Sequence, residues 1–156
     1  MRTRLLALLA AVTIVGSLFM PWFVGPFGTA FVPWDAFSKL DARQFERMTS
    51  NPPPIEVIVF LMSFPAAAFF AITALIGRED RLSAILTGAI PVGLVAYAVI
   101  SDMRKLEATG LQIPRRDLGE ILVRLSEVLG PGVYAWLGGA AVLLVLGLFD
   151  PGRRKV

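Results

Sequence analysis

Carboxylates are the side chains in this sequence that could do chemistry, and most of them lie between long apolar stretches. Paired carboxylates can act as general acid and base, or can hold a hard metal ion. Most of them, however, fall on polar helix faces that also carry Arg and Lys, so we interpret them as solvated surface. The residues concerned are Asp35, Asp41, Glu46, Glu56, Asp102, Glu107, Asp117, Glu120 and Glu127.

The chain of 156 residues contains no cysteine and no histidine. It therefore cannot build a disulfide, a thiol nucleophile, a His/Cys metal site, an imidazole-ligated haem or a Ser-His-Asp triad by itself. It also lacks a Gly-rich phosphate loop and a nucleophile elbow. We expect no enzymatic activity and no cofactor, and the remaining metal hypothesis is a carboxylate-only site.

The stretches that must position these residues are long and apolar. Residues 5–24 carry no charge, and 20 residues is the length that a helix needs to cross a hydrocarbon core of about 30 Å. A secretory signal peptide is the alternative here, but the stretch is long for one and no A-x-A site follows it. A hydrophobic content of 56% and a mean hydropathy of +0.70 are typical of membrane proteins. We predict spans at about 5–24, 55–76, 82–100 and 133–149.

The two outer loops, 25–54 and 101–131, each contain an amphipathic segment. In the first, Asp35 is the predicted N-cap of a helix. The apolar stripes are formed by Phe37, Leu40, Phe45 and Met48, and by Leu118, Ile121, Leu122, Leu125, Val128 and Leu129. The predicted fold is an all-α integral membrane protein with four transmembrane helices and two short amphipathic helices. Both halves follow this plan, which we interpret as convergence of loops that return to the bilayer rather than duplication.

The distribution of Lys and Arg predicts the orientation. Seven of them lie in the short segments that hold both termini and the 77–81 turn, whereas eight are spread over the two long loops. The positive-inside rule then places both termini in the cytoplasm, with a bacterial inner membrane as the expected location. The net charge is only +3 and the basic residues are scattered, so we expect no nucleic-acid partner.

Three groups of residues are candidate contacts for a partner protein or lipid. They are the aromatics Trp22, Phe23, Phe27, Phe31, Trp34 and Phe37, the pair Arg115 and Arg116, and the small residues Gly88, Gly93 and Gly139. Each also has a plain structural explanation. Aromatics anchor membrane interfaces, an arginine pair can begin a helix, and glycine is common in membrane helices.

Two short segments resemble known proteins. The end of the first span, GSLFMPWF at 16–23, and the beginning of the last, GPGVYAWLG at 130–138, are similar to small bacterial four-span proteins of undefined function. The overall plan also resembles claudin-type four-span proteins, although their cysteine pair is missing and the first outer loop is short for their extracellular sheet. This resemblance implies a four-span fold, and we carry no functional residue across.

The absence of reactive groups and the large apolar surface together predict binding rather than catalysis. We expect an accessory or scaffolding subunit that packs against a larger membrane complex, for example an energy-transducing one, with other membrane subunits and lipids as partners. The alternatives are a protein that binds lipid or a hydrophobic small molecule and, third, a membrane enzyme that uses outer-loop carboxylates.

Overall fold

A computed structural model of the chain describes residues 2–25, 29–39, 52–78, 80–108 and 128–149. This part is mostly helical, at 82%, as the sequence predicts. Its elements in chain order are α1 (Arg2–Gly16), a 3-10 turn (Ser17–Phe19), β1 (Phe23–Val24), β2 (Ala30–Phe31), α2 (Pro33–Ser38), α3 (Ile55–Ile76), α4 (Arg81–Ala108) and α5 (Pro131–Phe149).

Three of these helices are long and apolar enough to cross a membrane: Ile55–Ile76, Arg81–Ser101 within α4, and Pro131–Phe149. The bounds of α3 coincide with the predicted range. The last helix begins two residues earlier than predicted, because Pro131 occupies its first turn, where a missing N–H costs nothing. The helix predicted at 82–100 is one continuous helix that runs on to Ala108.

The first helix ends well before residue 24, which corrects the predicted range of 5–24. Its α-helical part stops at Gly16, and the apolar helix as a whole covers only Thr3–Phe19. Pro21 explains this end, because it disfavours the helical conformation in the residue before it. Met20 is accordingly extended, with φ −98° and ψ 153°. Counting apolar residues alone could not detect this interruption.

The loop helix α2 begins at Pro33, and Val32 rather than Asp35 is its N-cap. Asp35 lies inside the first turn, where its charge interacts favourably with the helix dipole, and its side chain makes no cap hydrogen bond. The helix ends at Ser38, with Lys39 as its C-cap, so the predicted helix from Asp35 through Met48 is not continuous, and its remainder, 40–48, lies outside the described part. Nearly all of the second amphipathic segment, 116–129, also lies outside it.

The four long helices pack as two antiparallel pairs, α1 with α3 and α4 with α5, which we call the two hairpins. α1 contacts α3 and α5, and α5 also contacts α4 most extensively, while α3 and α4 are joined by a short turn. Gly77 makes this turn possible, since its φ of +82° is left-handed and favours glycine. We call the end that holds Arg4, Gly77 and Arg81 the arginine end, and the end that holds Trp22, Phe60 and Trp136 the aromatic end.

Two arginines make the same contact at the arginine end. Arg4, in the first turn of α1, donates from Nε to the Ala74 carbonyl at 2.7 Å and from Nη2 to the Leu75 carbonyl at 2.6 Å. Arg81, at the start of α4, donates in the same way to the Gly147 and Leu148 carbonyls, at 2.7 and 2.9 Å. Each guanidinium thus satisfies carbonyls in the last turn of the antiparallel neighbour.

The two hairpins also bury corresponding positions. The separation in sequence between Arg4 and Arg81 is also the separation between corresponding residues of α1 and α4. It pairs Ala7 with Ala84, Ala11 with Gly88, and Ile14 with Pro91, and all six are buried. The offset that relates Ala74 to Gly147 pairs the buried residues Ala67 with Ala140 and Phe70 with Leu143. The plan shared by the two halves therefore extends to their helix faces, which convergence of the loops does not explain.

Replacing either arginine by glutamine should destabilise the protein. Arg4→Gln and Arg81→Gln each shorten the side chain and remove its charge, so the Leu75 and Leu148 carbonyls lose the guanidinium donor, while the Ala74 carbonyl keeps the Gly77 N–H. The expected loss is about 1–3 kcal/mol for each substitution. Thermal unfolding in mild detergent, followed by intrinsic tryptophan fluorescence, measures it. Arg78→Gln, in the exposed turn, is the control and should change stability by less than about 0.5 kcal/mol. Equal effects in all three variants would contradict the capping role.

Candidate functional site

Four aromatic rings meet at the aromatic end and close the bundle there. Trp22, just after α1, contacts Phe60 of α3 and Trp136 of α5, with ring centroids 5.1 and 5.3 Å apart. Phe64 lies 5.2 Å from Phe60 in an edge-to-face arrangement, which favours aromatic pairs. The rings thus connect α1, α3 and α5.

Both indole N–H groups of this cluster are satisfied. Trp22 Nε1 donates to the Ser17 carbonyl at 2.7 Å, and Trp136 Nε1 donates to Ser63 Oγ at 3.1 Å. No buried side-chain nitrogen or oxygen of the described residues lacks a hydrogen-bond partner. A closed apolar cluster with satisfied donors stabilises the fold, and within the described part it offers no reactive polar group.

A small backbone seam covers this cluster. The Trp22 N–H donates to the Phe31 carbonyl at 2.8 Å, and the Gly130 N–H donates to the Trp22 carbonyl at 2.7 Å. β1 pairs with β2 on one side, and Phe23 forms a bridge with Leu129 on the other. Gly130 and Gly132 permit this close approach, since a Cβ at either would collide with Pro21 or Trp22.

The structure places three of the predicted contact residues inside the protein. Trp22 is only 6% exposed and belongs to the aromatic cluster, so it is not available to a partner. Gly88 lies against the backbone of α5, where its Cβ would be 2.6 Å from the Ala140 carbonyl oxygen. Gly139 lies equally close to α1, 2.7 Å from the Ala10 carbonyl oxygen by the same measure. Their small size therefore serves packing within the chain.

The other predicted contacts are accessible or fall outside the described residues. Phe23, Phe31 and Trp34 are exposed, at 44%, 49% and 47%, and Phe37 is half-buried. Gly93 has open space beside it. Phe27, Arg115 and Arg116 lie outside the part of the chain that the structure describes.

The exposed apolar side chains that follow α1 are together called the cap patch. It consists of Phe19, Met20, Phe23, Val24, Phe31 and Trp34. The Phe19 and Trp34 rings lie 4.9 Å apart, and the Phe23 and Phe31 rings lie 6.1 Å apart. The first contact links the end of α1 to α2, and the second links β1 to β2. Phe19 and Met20 are not among the predicted contact residues.

A second exposed surface lies on α4 beyond Gly93. Residues 96–100 are all exposed, with Tyr97, Val99 and Ile100 between 51% and 55%. Successive residues in a helix point about 100° apart, so five in a row cover every direction around the axis. This stretch, which we call the free end of α4, is therefore enclosed by described residues on no side.

The described carboxylates do not form a reaction centre. Asp35 and Asp80 are exposed and Glu56 is half-buried. Among residues 2–25, 29–39, 52–78, 80–108 and 128–149, no group of three metal-ligating side chains lies together. The other outer-loop carboxylates belong to residues whose side chains are not described.

Comparison with known proteins adds no relative: no family model matches this chain, and neither a curated protein nor a solved structure is significantly similar to it. The function is therefore inferred from the surfaces of the chain itself.

The packing role of Gly88 can be tested against Gly93 on the same helix. Gly88→Ala places a methyl group against α5 backbone atoms, which side-chain rotation cannot relieve, and should cost about 1–3 kcal/mol. Gly93→Ala enters open space and should be neutral, or stabilising by up to about 1 kcal/mol. Thermal unfolding of the two variants side by side measures the difference. Equal stability of both would show that α4 and α5 are not in close backbone contact.

Proposed function

We propose that the chain spans a bacterial inner membrane four times, with α1 as the fourth span and both termini in the cytoplasm. The helix α1 alone is short, but it runs along α3 and α5. Its Arg4 contacts the last turn of α3 at the arginine end, and Trp22, just beyond α1, contacts Trp136 at the aromatic end. The segment from Arg4 to Trp22, that is α1 together with the residues just after it, therefore extends from one end of the bundle to the other and crosses the same layer as its neighbours.

The orientation rests on the arginine end. Both Arg4 and Arg81 lie there, next to the exposed Arg78, and the positive-inside rule associates such clusters with the cytoplasm. The aromatic end and the cap patch then face the outer side.

We further propose that the protein is a non-catalytic accessory subunit of a larger membrane complex. The observation that carries this proposal is the free end of α4. Of the three long apolar helices, α4 has the smallest buried share, 22% against 28% for α3 and 39% for α5. The free end of α4 is apolar on every side. Gly93, three residues before it, would let a second helix approach closely. The occupant that fits this surface is a transmembrane helix of another protein.

The chemistry of the described residues supports binding over catalysis. Outside the ends of the helices, the polar side chains are Ser and Thr hydroxyls, which donate mainly to carbonyls of their own helix. Such bonds satisfy the hydroxyl groups within the helix and do not mark a path for ions or protons, for which ionisable residues inside the membrane are typical.

The partner hypothesis is tested by a bulky substitution at an open position. Gly93→Leu has room in the chain itself, so the protein should fold with unchanged thermal stability. It should, however, lose a co-purifying protein in gentle detergent, because leucine holds a neighbouring helix away. Gly138→Leu is the matched control, since Gly138 on α5 is also open, and it should retain the partner.

A photo-crosslinking residue at Tyr97, compared with one at the equally exposed Ile72 of α3, gives the same information in native membranes. Tyr97 should yield one discrete protein adduct that Ile72 does not. A lone monomer, with lipid adducts only from both positions, would contradict the proposal. A stoichiometric lipid or quinone in that monomer would favour the binder of hydrophobic small molecules instead.

A further inference from the structure

The length of α1 poses a problem that the cap patch resolves. The apolar helix covers Thr3–Phe19, 17 residues, or about 26 Å at 1.5 Å per residue. A hydrocarbon core is about 30 Å thick, and Arg4 already lies at the arginine end, where it contacts the last carbonyls of α3. The helix α1 therefore stops short of the far side of the apolar layer, whereas α3 has 22 residues.

The cap patch begins where α1 ends. The Phe19 ring contacts Trp34, and the Trp22 N–H bonds to the Phe31 carbonyl, so strands and α2 are attached directly to the end of the helix. The six side chains of the patch are between 40% and 56% exposed. Strands rise about 3.3 Å per residue, so even the two residues of β1 are long enough to cover the missing distance.

The backbone of this segment suits a site at the edge of a bilayer. Irregular backbone inside lipid must have its hydrogen bonds satisfied within the protein. The strand β1 has a partner on each side, β2 and the Phe23–Leu129 bridge. Asp35 in α2 and Lys39, its C-cap, are exposed polar residues that point away from the Trp34 face, which matches a boundary where one face meets lipid and the other meets headgroups.

We propose that the cap patch inserts into the outer leaflet at the boundary of headgroups and acyl chains, and that it completes the first membrane crossing in place of the missing helical turns. The occupant of this surface is lipid. This inference rests on the proposed four-span placement but not on the proposed partner subunit.

The three tryptophans of the chain allow a direct test. Trp22 and Trp136 are 6% and 2% exposed, whereas Trp34 is 47% exposed. In nanodiscs of phosphatidylcholine and phosphatidylglycerol, lipids brominated near the headgroup end of the acyl chain should quench the protein's fluorescence more than lipids brominated near the terminal methyl. Trp34→Phe should lose most of this quenching with an unchanged melting temperature. Phe31→Ser, beside β1, should reduce it as a second variant.

Each other outcome overturns the proposal. Quenching of Trp34 by aqueous iodide but not by brominated lipid would place the cap patch in water. Protection from both quenchers would show that protein covers it. Strongest quenching by bromines near the terminal methyl would place it too deep. A chain that does not enter nanodiscs would refute the four-span placement itself, while loss of a partner in purification leaves the result on lipid unaffected.

Discussion

Carbonyl groups at the end of a helix have no partner within that helix, and at the edge of a bilayer water satisfies them poorly. The arrangement of this protein depends on how that requirement is met. Arg4 and Arg81 reach across to carbonyls of the neighbouring helix, and each contact fixes one antiparallel hairpin in a single register. Because the guanidinium is a planar fork of donors that stays charged, two adjacent carbonyls can be held by one side chain. The positive charge also suits the negative end of the helix dipole.

A fixed register determines which small residues meet. Gly88 comes to lie on the backbone of α5, and Gly139 on the backbone of α1, so the helices approach closely along the middle of the bundle. In lipid, where apolar surface gains little from leaving the solvent, such close packing is a main source of helix association. The shared offset between the hairpins shows the same solution used twice, once for each pair of helices.

Much of the fold follows from the sequence, because membrane spans have few alternatives. Charged residues and proline mark the limits of α3 and of the turn before α4, and the prediction there agrees with the structure. The end of α1 was predicted wrongly because one proline outweighs several apolar residues around it. The candidate contacts were harder to assign, since a pattern of small residues shows that helices can approach and not which helix approaches. Gly88 and Gly139 could therefore be mistaken for an external surface.

Trp22 illustrates the same difficulty for aromatics. Its position after an apolar stretch is typical of an interface anchor, yet it is buried, whereas Trp34, in the following loop, is exposed. What separates them is Ser17, whose carbonyl accepts a hydrogen bond from the Trp22 indole N–H, together with the rings of α3 and α5. These partners are distant in sequence or are backbone atoms, which no residue pattern reveals. The arginine contacts were missed for the same reason, although an arginine in the first turn of an apolar helix is a signal that could be searched for.

The two ends of the bundle differ in what fills the space between the helices. Near the middle, glycine and alanine allow backbone contact, whereas at the aromatic end four rings occupy the centre and connect α1, α3 and α5. The helix α4 contributes no ring to this cluster. Its packed positions continue to Val95, and residues 96–100 follow as a helical stretch of exposed residues. A membrane helix takes its tilt from the helices it packs against. At the aromatic end the described part of the chain supplies that constraint for α1, α3 and α5, whereas α4 takes its orientation from its packing against α5 and α3 closer to the arginine end.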